Sequence, residues 1–164
     1  EVVFVPQVTH ALADDDDRAV ARRIVGRLRY PGGAQVLEAE LRPGEIKGLC
    51  GRMAYFVGTR MHSNIFALSM GVPVLAIGCQ PKMSGLMEQL GLLEWTVPID
   101  SLEPNALQDA YGKLVACGPA VRRRLASTIP EATRSVMRNG RVIEEHYLRW
   151  TAPASSTRSA PARR

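Results

Sequence analysis

The chain has 164 residues, 46% of them hydrophobic, and a formal net charge of +5. That length suits one domain with a proper core. No apolar run is long enough to span a membrane, and no signal-peptide pattern opens the chain. Part of the charge is local. Arg158, Arg163 and Arg164 lie in a tail that begins at Thr151 and contains no acid, and without them the formal charge is +2. A basic excess draws nucleic acid when it is patterned into a stripe with interleaved aromatics, and no such stripe is present, so no nucleic-acid partner is expected. Cys50, Cys79 and Cys117 are far apart and form no metal-ligand spacing, a usage that fits a reducing cytoplasm. The first residue is Glu1 rather than Met, which predicts a piece of a longer protein.

In chain order, Val2-Val3-Phe4-Val5 reads as a buried strand ended by Pro6, because a parallel strand covered on both faces is continuously apolar. Asp14 to Asp17 then open a helix through Ile24-Val25, acids in a first turn complementing the helix dipole. Pro31-Gly32-Gly33 is a turn, Val36-Leu37 a second strand, and Pro43 with Glu45 opens a short helix through Cys50. Tyr55-Phe56-Val57 is a strand closed by Gly58-Thr59. Ser63 to Met70 reads as a helix with Ile65, Leu68 and Ser69 inward and Gly71 as its stop. Val72 to Ile77 is the strongest strand. Lys82 to Leu90 is helical, again with a glycine stop at Gly91, and Trp95-Thr96-Val97 is the last strand. Helices follow from Pro104 to Ala116 and, past Pro119 and broken near Pro130, on to Trp150. Strands alternating with helices predict an α/β fold: a Rossmann-like, doubly wound parallel sheet over residues 1–150. Residues 151–164 are Ser, Pro, Ala and Arg with little to bury, and are expected to be a disordered basic tail.

In such a sheet ligands bind beyond the carboxyl ends of the strands. Three of the loops leaving those ends carry chemistry. The first holds His10. The third runs Gly58-Thr59-Arg60-Met61-His62-Ser63-Asn64. An arginine just past a buried strand asks for an anionic partner; a guanidinium fork suits carboxylate or phosphate; and His62, beside a helix start, can give or take a proton near neutral pH. Ser63 or Asn64 can cap that helix, whose first N–H groups favour an anion. The alternative is that Arg60 pairs with a structural acid and His62 only caps. The fourth loop adds Lys82 and Ser84. Lys82 is one of three lysines, and at a helix N-terminus it opposes the dipole unless an anion sits there. Asp14 to Asp17 read as solvent-facing caps rather than a metal site, and His146 as a surface residue.

The run from Phe56 to Ile77, followed by Gln80 to Leu92, closely resembles the C-terminal half of the polysaccharide pyruvyl transferase family. The features that carry the resemblance are Arg60-x-His62, the helix with Ile65 and Ala67, Gly71-x-Pro73 before the next strand, and Lys82 downstream. The resemblance implies one Rossmann-like half of a GT-B-type fold, with the N-terminal half missing from this chain. It implies transfer of pyruvate from phosphoenolpyruvate onto a sugar, or a lipid-linked oligosaccharide, as a ketal. Arg60 and Lys82 would hold the donor's phosphate and carboxylate; His62 would be the acid; Met61, Ser63, Ser84 and His10 would line the substrate site. No metal and no cofactor are required. A cytoplasmic location at the inner face of the membrane, with peripheral contact through the basic tail, would follow from lipid-carried acceptors. Two rivals stay open. A nucleotide-sugar glycosyltransferase or epimerase shares the fold but commonly has an acid on the helix that here runs from Ser63 to Met70, which has none. A non-catalytic half-domain that binds an anion or a partner would show an exposed apolar face.

Overall fold

The computed structural model describes residues 1–9, 16–78 and 81–151. It is α/β, with every strand pair parallel. Strand β1 (Val2–Phe4) pairs with β2 (Ala34–Val36), Val3 opposite Gln35. Between them in sequence lies helix α1 (Asp17–Val25). After β2 comes helix α2 (Pro43–Cys50), whose Glu45 carboxylate accepts the Arg42 backbone N–H at 2.8 Å. Strand β3 (Phe56–Gly58) pairs with β4 (Val74–Ile77), and β4 with β5 (Thr96–Val97). Helix α3 (Met61–Ser69) joins β3 to β4 and helix α4 (Pro81–Gln89) joins β4 to β5.

The strands hydrogen-bond as two sheets, β1–β2 and β3–β4–β5, not as the one doubly wound sheet expected. Each strand is only two to four residues long, which leaves little ladder to extend. The burial expected of the first strand is also not met: Val2 is exposed, and Val3 and Phe4 are half-buried. Strand β4, by contrast, is buried at all four positions.

The core is built around β4. Leu75 and Ala76 are completely buried and pack with Leu68 of α3, Met83 and Met87 of α4 and Trp95. Leu114, Val121 and Leu125 complete it from a long helix, α5 (Pro104–Thr151). Their spacing of seven and four residues lays them along one stripe of that helix. Each fully buried leucine contributes about 1.5–3 kcal/mol. Gly71 and Gly91 have φ of 75° and 66°, the left-handed conformation that ends α3 and α4 where glycine was expected to.

Helix α5 is continuous, where a stop at Ala116 and a break near Pro130 were expected. Proline at 119 has no N–H for the carbonyl of Val115 one turn back. That carbonyl accepts from the Tyr55 hydroxyl instead, at 3.2 Å. Gly118 allows the approach: a Cβ there would lie 2.6 Å from the hydroxyl oxygen. Arg122 adds a hydrogen bond to the Ala54 carbonyl and stacks over the Tyr55 ring at 5.9 Å. So the helix runs through Pro119 because it is fastened there to the segment that leads into β3. Beyond the core its apolar residues Val136, Met137 and Ile143 are exposed, and Trp150 is 85% exposed. No helix among the described residues is long and apolar enough to cross a membrane. Thr151 ends α5; the rest of the expected tail, and the loop with His10, lie outside the described residues.

Candidate functional site

The site is set by the turn from β3 into α3. Gly58 is buried, and a Cβ on it would overlap the Asn64 amide oxygen and lie 2.6 Å from Phe56 Cε1. Only glycine fits because the Asn64 side chain occupies that space. Asn64 is completely buried, and its Nδ2 donates to the Gly58 carbonyl at 3.1 Å and to Met83 Sδ at 3.5 Å. Its Oδ1 is buried with no hydrogen-bond partner. One amide thus fixes the exit of β3 and touches the first turn of α4. Since β3 and β4 are parallel, with Gly58 opposite Ala76, both exits lie at the same edge of the sheet.

Arg60 is the N-cap residue of α3, in extended conformation, and the helix starts at Met61. It therefore begins two residues before the expected start, and neither Ser63 nor Asn64 caps it. Both point inward. Ser63 is 3% exposed and its hydroxyl donates to the Arg60 carbonyl at 2.8 Å, so it braces the turn. The inner face of α3 is Ser63, Asn64, Ala67 and Leu68, whereas Ile65 and Ser69, expected inward, are only half-buried. This rotation turns His62, in the first turn, out to solvent, with Met61 half-buried beside it.

Arg60 has an acidic partner. Its Nη2 donates to Asp17 Oδ1 at 2.8 Å. Asp17 Oδ2 meanwhile accepts the backbone N–H groups of Gln7 at 3.1 Å and Val8 at 3.0 Å. The pair therefore bridges the loop leaving β1 and the loop leaving β3, drawing the carboxyl ends of the two sheets together. Burial pushes the Asp17 carboxyl up, but hydrogen bonds from Arg60, Val8 and Gln7 outweigh it and hold its pKa below the usual value. With half of its side chain exposed and five N–H donors in all, Arg60 keeps donors for a further anion.

Asp17 is not one of a set of solvent-facing caps. It is half-buried, and its neighbour Asp16 is buried, caps α1 at the Arg18 N–H and pairs with the Arg18 guanidinium. Asp14 and Asp15 lie outside the described residues. On the fourth loop, Pro81 opens α4, Lys82 is exposed in its first turn and Ser84 is half-buried; Cys79 and Gln80 lie outside the described residues. The arrangement links Arg60 to Asp17 and, through Asn64 and Met83, to the start of α4. No cluster of three or more His, Cys, Asp or Glu able to hold a metal occurs among the described residues. Asp17, Gly58 and Asn64 were not read as site residues in the sequence. A signal for Asp17 was present: an arginine next to a core requires an acid, and the only acidic run near a strand exit begins at Asp14.

Comparison with known proteins covers this part of the chain. A family model for polysaccharide pyruvyl transferases matches residues 1–81. A curated relative, the amylovoran biosynthesis protein AmsJ of Erwinia amylovora, is 33% identical over 92 residues, which cover 56% of this chain and 22% of that protein. The segment matched to that relative thus spans much less than half its length. No solved structure matches. The matched segment contains β1 to β4, the Asp17–Arg60 pair and the Arg60-x-His62 turn, and over residues 1–81 the chain belongs to the polysaccharide pyruvyl transferase family.

Proposed function

We infer that the chain is the donor-binding part of a pyruvyl transferase that moves pyruvate from phosphoenolpyruvate onto a sugar of a cell-surface polysaccharide as a ketal. The observation that carries this reading is Arg60. It stands at the carboxyl edge of the sheets, braced by Asp17 at 2.8 Å and half exposed, with His62 two residues on in the first turn of α3. Arg60 holds the donor's phosphate or carboxylate, and Lys82 at the start of α4 holds the other. The first-turn N–H groups of α3 and α4 add partial positive charge. Stabilising the departing phosphate by fixed donors of this kind contributes strongly to such reactions.

His62, as imidazolium, gives its proton to the methylene carbon of the enol, and the adjacent carbon becomes electrophilic. A sugar hydroxyl adds there and passes its proton to a phosphate oxygen, the bond from that carbon to the phosphate oxygen breaks, and hydrogen phosphate leaves. A second hydroxyl of the same sugar then closes the ketal, and the proton it releases restores His62. Met61, Ser63, Ser84 and His10 belong to the proposed substrate site, Ser63 by bracing Arg60. No metal or cofactor enters the scheme. The chain contributes one Rossmann-like half of a GT-B-type enzyme, and a preceding half supplies the acceptor side. Lipid-linked acceptors would bring the enzyme to the inner, cytoplasmic face of a membrane, where the basic tail gives peripheral contact.

A second reading, a half-domain that works only through a partner, has one observation in its favour: the exposed apolar end of α5. Calorimetry decides between the readings. Wild type is expected to bind phosphoenolpyruvate in preference to a uridine diphosphate sugar, and Arg60→Ala to bind it far more weakly. Preference for the nucleotide sugar would replace the pyruvyl transferase with a glycosyltransferase. Donor binding intact but no turnover even when the preceding half is supplied would favour the non-catalytic half-domain.

A further inference from the structure

The geometry points to Asp17 as a positioning residue for Arg60, one that sets where the guanidinium presents its remaining N–H donors to an anionic ligand. It rests on the reading of Arg60 as the residue that holds the donor's anion. Asp17 is fastened to the backbone before it meets Arg60. Its own N–H donates to the Val8 carbonyl at 2.9 Å, and its Oδ2 accepts from the Gln7 and Val8 N–H groups. Only Oδ1 is left for Arg60. A residue held at three points, two of them on its carboxylate, is a fixed hook, whereas an arginine side chain is long and has many rotamers. With side chains 52% and 30% exposed, the pair is too wet to stabilise the fold much, so orientation is what it supplies. It also makes the anion site depend on the loop leaving β1, although Arg60 itself belongs to the loop leaving β3.

Two physical effects oppose each other here, which makes the idea testable. Removing a negative charge beside an anion site should tighten anion binding. Removing a positioning contact should weaken it. The test is calorimetry with phosphoenolpyruvate and, separately, inorganic phosphate on wild type, Asp17→Asn, Arg60→Ala and the double variant. Asp17→Asn keeps an acceptor oxygen for the two loop N–H groups, and Asp17→Ser serves if that variant fails to fold. The expected result is that Asp17→Asn weakens binding on the order of tenfold, and that it has no further effect once Arg60 is alanine. Weakening of the same size in the Arg60→Ala background would reduce Asp17 to a general structural role. Unchanged or tighter binding in Asp17→Asn, with Arg60→Ala still binding far more weakly, would overturn the inference and leave the function reading intact. If Arg60→Ala binds like wild type, or wild type binds neither probe, the function reading falls and the inference falls with it.

Discussion

Substituting Gly58 by alanine tests how the site is built. The added methyl would overlap the Asn64 amide oxygen and come within 2.6 Å of Phe56 Cε1 and 3.0 Å of Asn64 Cγ. Asn64 cannot yield cheaply. It is completely buried and holds the Gly58 carbonyl at 3.1 Å, so swinging away leaves that carbonyl and its own amide unpaired. Overpacking costs about 1–3 kcal/mol and an unmade buried hydrogen bond about 1–3 kcal/mol. Since either the clash or the bond is relieved in part, the sum expected is about 2–4 kcal/mol. For a chain of this length that lowers the melting temperature by roughly 4–16 °C. The assay is thermal unfolding by circular dichroism on Gly58→Ala, Asn64→Ala and the double variant. Asn64→Ala removes the oxygen that the new methyl strikes, so the double variant should lose at least about 1 kcal/mol less than the two singles added together. A Gly58→Ala protein as stable as wild type, or strictly additive losses, would refute the argument that Asn64 is what requires a glycine at 58.

Three further outcomes are expected. Tyr55→Phe removes the hydroxyl that serves the Val115 carbonyl in place of the N–H that Pro119 lacks and should cost about 0.5–1.5 kcal/mol in urea unfolding; no loss would mean that water replaces the hydroxyl. The Asp17 carboxyl, whose pKa is held below its ordinary 3.8, contributes stability that is fully present above that value and is lost as pH falls through the lower folded one. Wild type should therefore lose more stability than Asp17→Asn below pH 3.8, and parallel acid limbs in the two proteins would contradict this. Burial pushes the Cys50 thiol up, while Cys117 is exposed. A thiol reagent followed by peptide mass spectrometry should label Cys117 quickly and Cys50 only on unfolding; equal rates would argue against the packing around α2.

Much of the architecture is legible in the sequence because its signals are local. Gly71 and Gly91 end helices as expected, and the apolar run in β4 marks the centre of the core. The Arg60-x-His62 turn is legible too, since a cation and a proton carrier beyond a strand stand out by type. What could not be read depends on long-range partners. The continuity of α5 through Pro119 requires a hydroxyl from Tyr55, 60 residues earlier in the chain. The pairing of Arg60 with Asp17 spans 43 positions, and within a run of four aspartates no local feature singles out which one meets Arg60. The start of α3 moved to Met61 because Asn64, a residue expected to cap, is a buried strut against Gly58 instead. The division into two sheets reflects strands of two to four residues, whose ends a periodicity argument does not resolve.

The central claim, that an anionic donor is held at the turn into α3 and at the start of α4, is tested most directly by amide chemical-shift mapping with phosphoenolpyruvate. The account predicts saturable shifts concentrated at Gly58 to Ser63 and at Lys82 to Gly85, with smaller ones at Gln7 and Val8 relayed through Asp17. Saturable shifts confined to other surfaces, with these amides unmoved, would contradict it.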